Sequence, residues 1–94
     1  MSKSFGTRYK ETYETIRAAL EVEASRRAKR TFEAWILAER ECVLREVNHH
    51  RHLQGHTPVK IAEIERAERL ALGHSDYIAK YAHAAADLVF KEGV

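Results

Sequence analysis

Apolar residues recur at helical spacing along most of the chain. No stretch sustains the alternation that a half-buried strand needs, so the pattern predicts an all-α protein. Phe5, Tyr9, Tyr13, Ile16 and Leu20 return every three or four residues and share one face of a first, short helix that starts near Gly6 or Thr7. A second stripe runs through Ala28, Phe32, Trp35, Ile36, Cys42, Val43 and Val47. At about 100° per residue, Phe32 falls roughly 140° around the axis from Tyr9. One straight helix would change faces midway, so a bend is expected between Glu21 and Thr31. Leu37 and Leu44 lie roughly opposite the Phe32/Val43 stripe and ask for a second contact, with the first helix or with another copy of the chain.

The second helix should end in Asn48-His49-His50-Arg51-His52, followed by a loop over Leu53-Gln54-Gly55-His56. Thr57-Pro58 reads as a restart, with threonine as N-cap and proline at the first helical position. Ile61, Ile64, Ala67, Ala71 and Leu72 then mark a third helix that Gly73 stops or kinks. Ser75 can cap a continuation with Ile78, Tyr81, Ala82, Ala85, Leu88 and Val89 on one face. The alanines there permit close helix approach. The expected architecture is a single domain over residues 1–94. A short N-terminal helix precedes an antiparallel hairpin of two long helices, the last kinked near Gly73.

Ninety-four residues suffice for one core, and a helical domain this small often gains further core by oligomerising. A net charge of +2 is too small to imply nucleic acid. One cysteine, Cys42, excludes an intramolecular disulfide framework and fits a reducing cytosol. No apolar run of about 18 residues offers a membrane span, and the polar N-terminus lacks a signal-peptide core. A cytoplasmic location is therefore expected.

Charge is concentrated in Arg26, Arg27, Lys29 and Arg30, with no acid between Ala24 and Phe32. Arg26 and Arg30 are one turn apart on the side of Leu37 and Leu44. If those leucines mark a subunit seam, the arginines point into it and suit a phosphate-bearing ligand. The plainer reading is a solvated face balanced by Glu21, Glu23 and Glu33. Tyr9 and Tyr13 are either base-stacking rings or core residues with wet hydroxyls. His49, His50, His52 and His56 lack a second ligand pair at zinc spacing, and no metal or cofactor is expected. Cys42 sits on an apolar stripe. No Gly-rich phosphate loop or HExxH motif occurs, and no catalytic constellation emerges.

The run Leu72-Gly73-His74-Ser75-Asp76 with Tyr81 also resembles the C-terminal signature of tyrosine recombinases. Its His74-to-Tyr81 spacing is shorter than theirs, and the chain has no room for the strands that carry that family's first arginine and lysine. A helix-turn-helix over Ile61 to Ala86 fails as well. Arg69 stands where a small residue is wanted, and the would-be recognition helix is mostly apolar.

Gly73-His74-Ser75-Asp76-Tyr77-x-x-Lys80-Tyr81-Ala82, followed by an alanine-rich helix, resembles the phage anti-CBASS cyclic-nucleotide sponges over about 20 residues. The resemblance implies a helical hairpin assembled as a hexamer that sequesters cyclic di- or trinucleotide messengers of bacterial immune cyclases without cleaving them. It also implies pockets between subunits. Tyr9 or Tyr13 would stack on a base, and Arg26, Lys29 or Arg30 would hold phosphate. Arg66, Arg69 and His74 would line a second pocket. The competing expectations are a small helical inhibitor or adaptor that binds a host protein, and nucleic-acid binding through the Arg26–Arg30 cluster.

Overall fold

The computed structural model describes residues 3–92, and among these it is all-helical with no strand. Four helices follow in order: α1 (Phe5–Ser25), α2 (Phe32–Leu53), α3 (Ile61–Ala71) and α4 (Tyr77–Phe90), with a single 3₁₀ turn at Arg27–Lys29 between the first two. Ser4 caps α1 by accepting from the Thr7 N–H at 3.2 Å, and Thr31 caps α2 by accepting from Ala34 at 3.2 Å. The expected bend between Glu21 and Thr31 is present, but the first helix is not short. It runs for 21 residues, because its apolar stripe is covered along its length by α2 and α4.

Two boundaries differ from the sequence expectation. Thr57-Pro58 does not open α3, which starts at Ile61 behind Lys60. The intervening backbone is held extended instead. The Arg51 Nε donates to the Thr57 carbonyl at 2.6 Å. The Asn48 side chain clamps Val59 in both directions, accepting from its N–H at 2.8 Å and donating to its carbonyl at 3.1 Å. These contacts bury Val59 in the core, which a helical turn there would forgo.

The second difference is at Gly73. The chain does not kink there and continue; it turns back. Leu72 is extended, Gly73 takes a left-handed φ of +84°, and α4 restarts with Asp76 rather than Ser75 as its cap, accepting from Ala79 at 3.1 Å. The direction of α4 follows from its contacts. Tyr77 meets Glu39 near the start of α2, whereas Leu88 and Lys91 meet Arg51 near its end. α4 therefore runs parallel to α2 and antiparallel to α1 and α3. The two-helix hairpin with a kinked arm is replaced by an up-down-up-down bundle of 44 × 22 × 21 Å.

α4 is its axis. It packs on all three other helices, while α1 and α3 do not pack on each other to any extent. Tyr81, Ala82, Ala85, Ala86 and Val89 are buried on it, and with Ile16, Leu20, Val43, Val47 and Ile64 they form the core. Five residues assigned to apolar stripes are exposed outside that core: Phe5, Ala28, Phe32 at 62%, Ile61 and Leu72 at 59%. Of the two leucines expected at a seam, Leu44 packs against this core and Leu37 faces solvent. No helix among the described residues is long and apolar enough to cross a membrane.

Candidate functional site

Because α1 and α3 flank α4 without meeting, one face of α4 is left as the floor of a groove. Its cavity is about 260 Å³, walled on the α3 side by Glu63, Arg66 and Leu70 and floored by Ala67, Ala84 and Leu88. Lys80 and Lys91 stand at its two ends, about 16 Å apart along α4. On the α1 side, the Tyr13 ring stacks on His83 with centroids 4.0 Å apart, and Arg17 donates to the Tyr13 hydroxyl at 3.0 Å. The Tyr9 hydroxyl donates to Asp87 at 2.9 Å and lies 3.2 Å from His83 Nδ1. The same hydroxyl also lies 3.3 Å from the His83 carbonyl, so Tyr9 ties α1 to this turn of α4. Partial burial, reinforced by the Asp87 carboxylate, pushes the Tyr9 phenol up to about 12. Tyr9 is therefore held as a neutral phenol that ties α1 to α4.

The second polar concentration lies at the opposite end of α1, where the chain turns into α2. Glu23 is buried, and its carboxylate receives Arg26 at 3.4 Å and Arg30 at 2.7 Å. Arg26 and Arg30 thus pair with a buried acid of their own chain, Glu23, one of the three glutamates that the plainer reading set against them. Arg27 lies over the Trp35 ring at 4.7 Å, and Lys29 is exposed. Beside them Phe32, Trp35, Ile36, Leu72 and Tyr77 line an apolar pocket of about 280 Å³.

Beneath that pocket lie two more buried glutamates. Glu68 is gripped by Arg40 through two hydrogen bonds of 2.9 and 3.0 Å. Glu39, 1% exposed, accepts from the Tyr77 hydroxyl at 2.7 Å and forms no salt bridge among the described residues. Burial raises the Glu39 pKa above the ordinary glutamate value, and the neighbouring Glu68 and Glu23 carboxylates add to the rise against the Tyr77 hydrogen bond.

A raised acid binds more protons folded than unfolded. The stability of the fold thus falls as pH rises from the ordinary glutamate value through the raised one, and is flat above it. Replacing Glu39 with Gln keeps the acceptor for Tyr77 and removes the charge. The expected result is a stabilisation on the order of 1 kcal/mol at pH 7–8, shrinking to nothing below about pH 4.5. Melting curves of Glu39→Gln and the parent chain across that range check it. A gain of the same size at all pH values would show that charge burial is not the cause.

Of the residues singled out in the sequence, Arg66 lines the groove, while Tyr9 and Tyr13 stand behind it and touch Asp87 and His83, which line it. Arg66 pairs with Glu63 at its rim at 3.2 Å. Arg26, Lys29 and Arg30 are not brought there, standing about 25 Å from Tyr9 along α1. Arg69 is exposed on the last turn of α3 and His74 in the turn that follows. Sequence reasoning missed Lys80, His83 and Asp87. Their spacing of three and four was the available signal, because it puts them on one polar edge of an otherwise apolar helix. Among the described residues no three His, Cys, Asp or Glu side chains are placed to hold a metal, and Cys42 is buried with its thiol pushed up by that burial. Compared with family models, curated proteins and solved structures, the chain finds no match.

Proposed function

We propose that this chain is a non-catalytic protein that binds and sequesters an anionic ligand containing nucleobases. The class implied by its C-terminal resemblance is the cyclic oligonucleotide messenger of bacterial immune signalling. The observation that carries the reading is the groove over α4, where a two-ring platform, Tyr13 backed onto exposed His83, stands beside Arg66 and Lys80. A base laid on the groove side of His83 extends that stack, worth about 1–3 kcal/mol per base. Its phosphates meet Lys80, Arg66 and Lys91. This assignment moves the phosphate contacts away from Lys29 and from Arg26 and Arg30, which pair with Glu23.

One groove of about 260 Å³ is smaller than the ~300–1,000 Å³ that encloses a drug-sized ligand. A single chain thus covers part of a cyclic dinucleotide, and a second copy supplies the rest. Sequestration in competition with a receptor demands a submicromolar Kd, about −8 kcal/mol. One base and one cation fall short of that, whereas two grooves in an oligomer reach it.

The test is titration calorimetry with a panel of cyclic di- and trinucleotides, followed by chromatographic recovery of the ligand. Submicromolar binding, intact ligand, and a loss of about tenfold in each of Lys80→Glu and Arg66→Glu are expected. No heat from folded protein across the panel, or binding indifferent to both substitutions, overturns the reading.

A further inference from the structure

The apolar corner at the opposite end of the bundle has no part in that groove, and its composition is specific. Phe32 and Leu72, two of the most exposed large hydrophobic side chains, stand on either side of a pocket whose walls are Trp35, Ile36 and Tyr77. An apolar pocket with aromatic walls is what anchors a partner's side chain in a tight interface. Directly beside it the charge is sorted by depth. The acids Glu23, Glu39 and Glu68 are buried, while Arg26, Arg27 and Lys29 are exposed. Arg27, which lines the pocket, and its exposed chain neighbours Arg26 and Lys29 form a basic collar on this side of the apolar hole, next to exposed Glu33 and to the buried Glu68 in the pocket's lining.

Arg27 is placed to use that collar. Its guanidinium lies over the Trp35 ring, 4.7 Å from the centroid, and it lines the pocket. Stacking occupies the flat face of a guanidinium and leaves its in-plane N–H groups free, the edge that grips a carboxylate through two parallel bonds. Side chains one turn apart on a helix are about 6 Å apart. A helix that seats an apolar residue in the pocket thus brings an acidic neighbour onto Arg27.

We propose that this corner docks an acidic amphipathic helix of a protein partner, with an apolar side chain seated between Phe32 and Leu72 and a carboxylate on Arg27. A second copy of the chain is the wrong occupant, because a two-fold contact would press one basic collar against another. A nucleic acid would satisfy the cations but leave Phe32 and Leu72 facing phosphate and water. The surface is independent of the α4 groove, so either assignment can fail without the other.

Trp35 is the sole tryptophan, so its fluorescence reports this pocket alone. The probe is an amphipathic peptide of about 15 residues with a central phenylalanine and glutamates one turn to either side, and no tryptophan. Two control peptides replace the glutamates with lysines or the phenylalanine with alanine. The expected result is saturable change in Trp35 emission with the acidic peptide, and binding at least about tenfold weaker for each control. The same loss is expected for Arg27→Ala and for Phe32→Ser with Leu72→Ser, which are surface positions whose helicity is checked by circular dichroism. Three outcomes overturn the proposal: equal binding of the acidic and basic peptides; a Trp35 change that tracks protein concentration with a doubled mass and no peptide; and displacement of the peptide by a thymidine oligonucleotide.

Discussion

Replacing Arg51 with alanine should lower the melting temperature by about 12 °C or more. Arg51 is 1% exposed, and its guanidinium caps the C-terminal turn of α4. Nη1 donates to the Leu88 carbonyl at 2.6 Å and the Lys91 carbonyl at 2.7 Å, with Val89 at 3.4 Å, and Nε donates to Thr57 at 2.6 Å. Leu88, Val89 and Lys91 close the C-terminus of α4, where unpaired carbonyls gather partial negative charge. One side chain therefore holds the end of the axial helix and the extended entry to α3 at once.

Alanine leaves those carbonyls buried without donors, a cost of about 3–5 kcal/mol against a total stability of about 5–14 kcal/mol for a domain this size. Lysine keeps the charge but cannot span carbonyls on two segments, and Met keeps the volume but not the donors. The expected order of stability is Arg, then Lys, then Met and Ala. Thermal or urea unfolding of the three variants checks it. An Arg51→Ala protein that melts within a few degrees of the parent would show that water satisfies these carbonyls instead.

The second large effect is expected from enlarging Ala85. This residue is fully buried on α4, which packs on α1, α2 and α3 together. Small side chains let the three neighbours approach one helix at once. Ala85→Leu adds three heavy atoms where no neighbour can move without disturbing another helix, at a cost of about 1–3 kcal/mol and occasionally more. Ala84, half-buried at the groove floor, is the control: the same substitution there should cost little stability while filling the proposed ligand site. The readouts are the urea midpoint for both variants and ligand titration for Ala84→Leu. Equal destabilisation at the two positions would contradict the central placement of α4.

The core stripes were legible because their signal is local. Ile16, Leu20, Val43, Val47, Ile64, Tyr81 and Val89 recur at the period of a helix, and each lies in the core. The bend before α2 could be read for the same reason, as a change of face within one run. The direction of α4 could not be read. Gly73 permits a kink or a reversal equally. Reversal follows from contacts of Tyr77 with Glu39 and of Leu88 with Arg51, pairs about 38 positions apart along the chain. Thr57-Pro58 misled because its capping chemistry is local, whereas the clamp that holds it extended comes from Asn48 and Arg51 on another element.

The same division runs through the candidate sites. Residue types and spacings by themselves determined an all-helical chain, its apolar stripes, a basic cluster over Arg26–Arg30 and two tyrosines sharing one face of α1. Only the tertiary structure decided what those charges and rings do. It paired Arg26 and Arg30 with the buried Glu23, set Arg27 on Trp35, and brought Tyr13 to His83 across 70 residues of sequence. Helical periodicity fixes which side of a segment is apolar, through backbone geometry that each segment carries alone. Whether a polar group ends on a buried acid, on a ring or at an open groove depends on which other helix covers that side, and that is settled only when α4 packs between its neighbours.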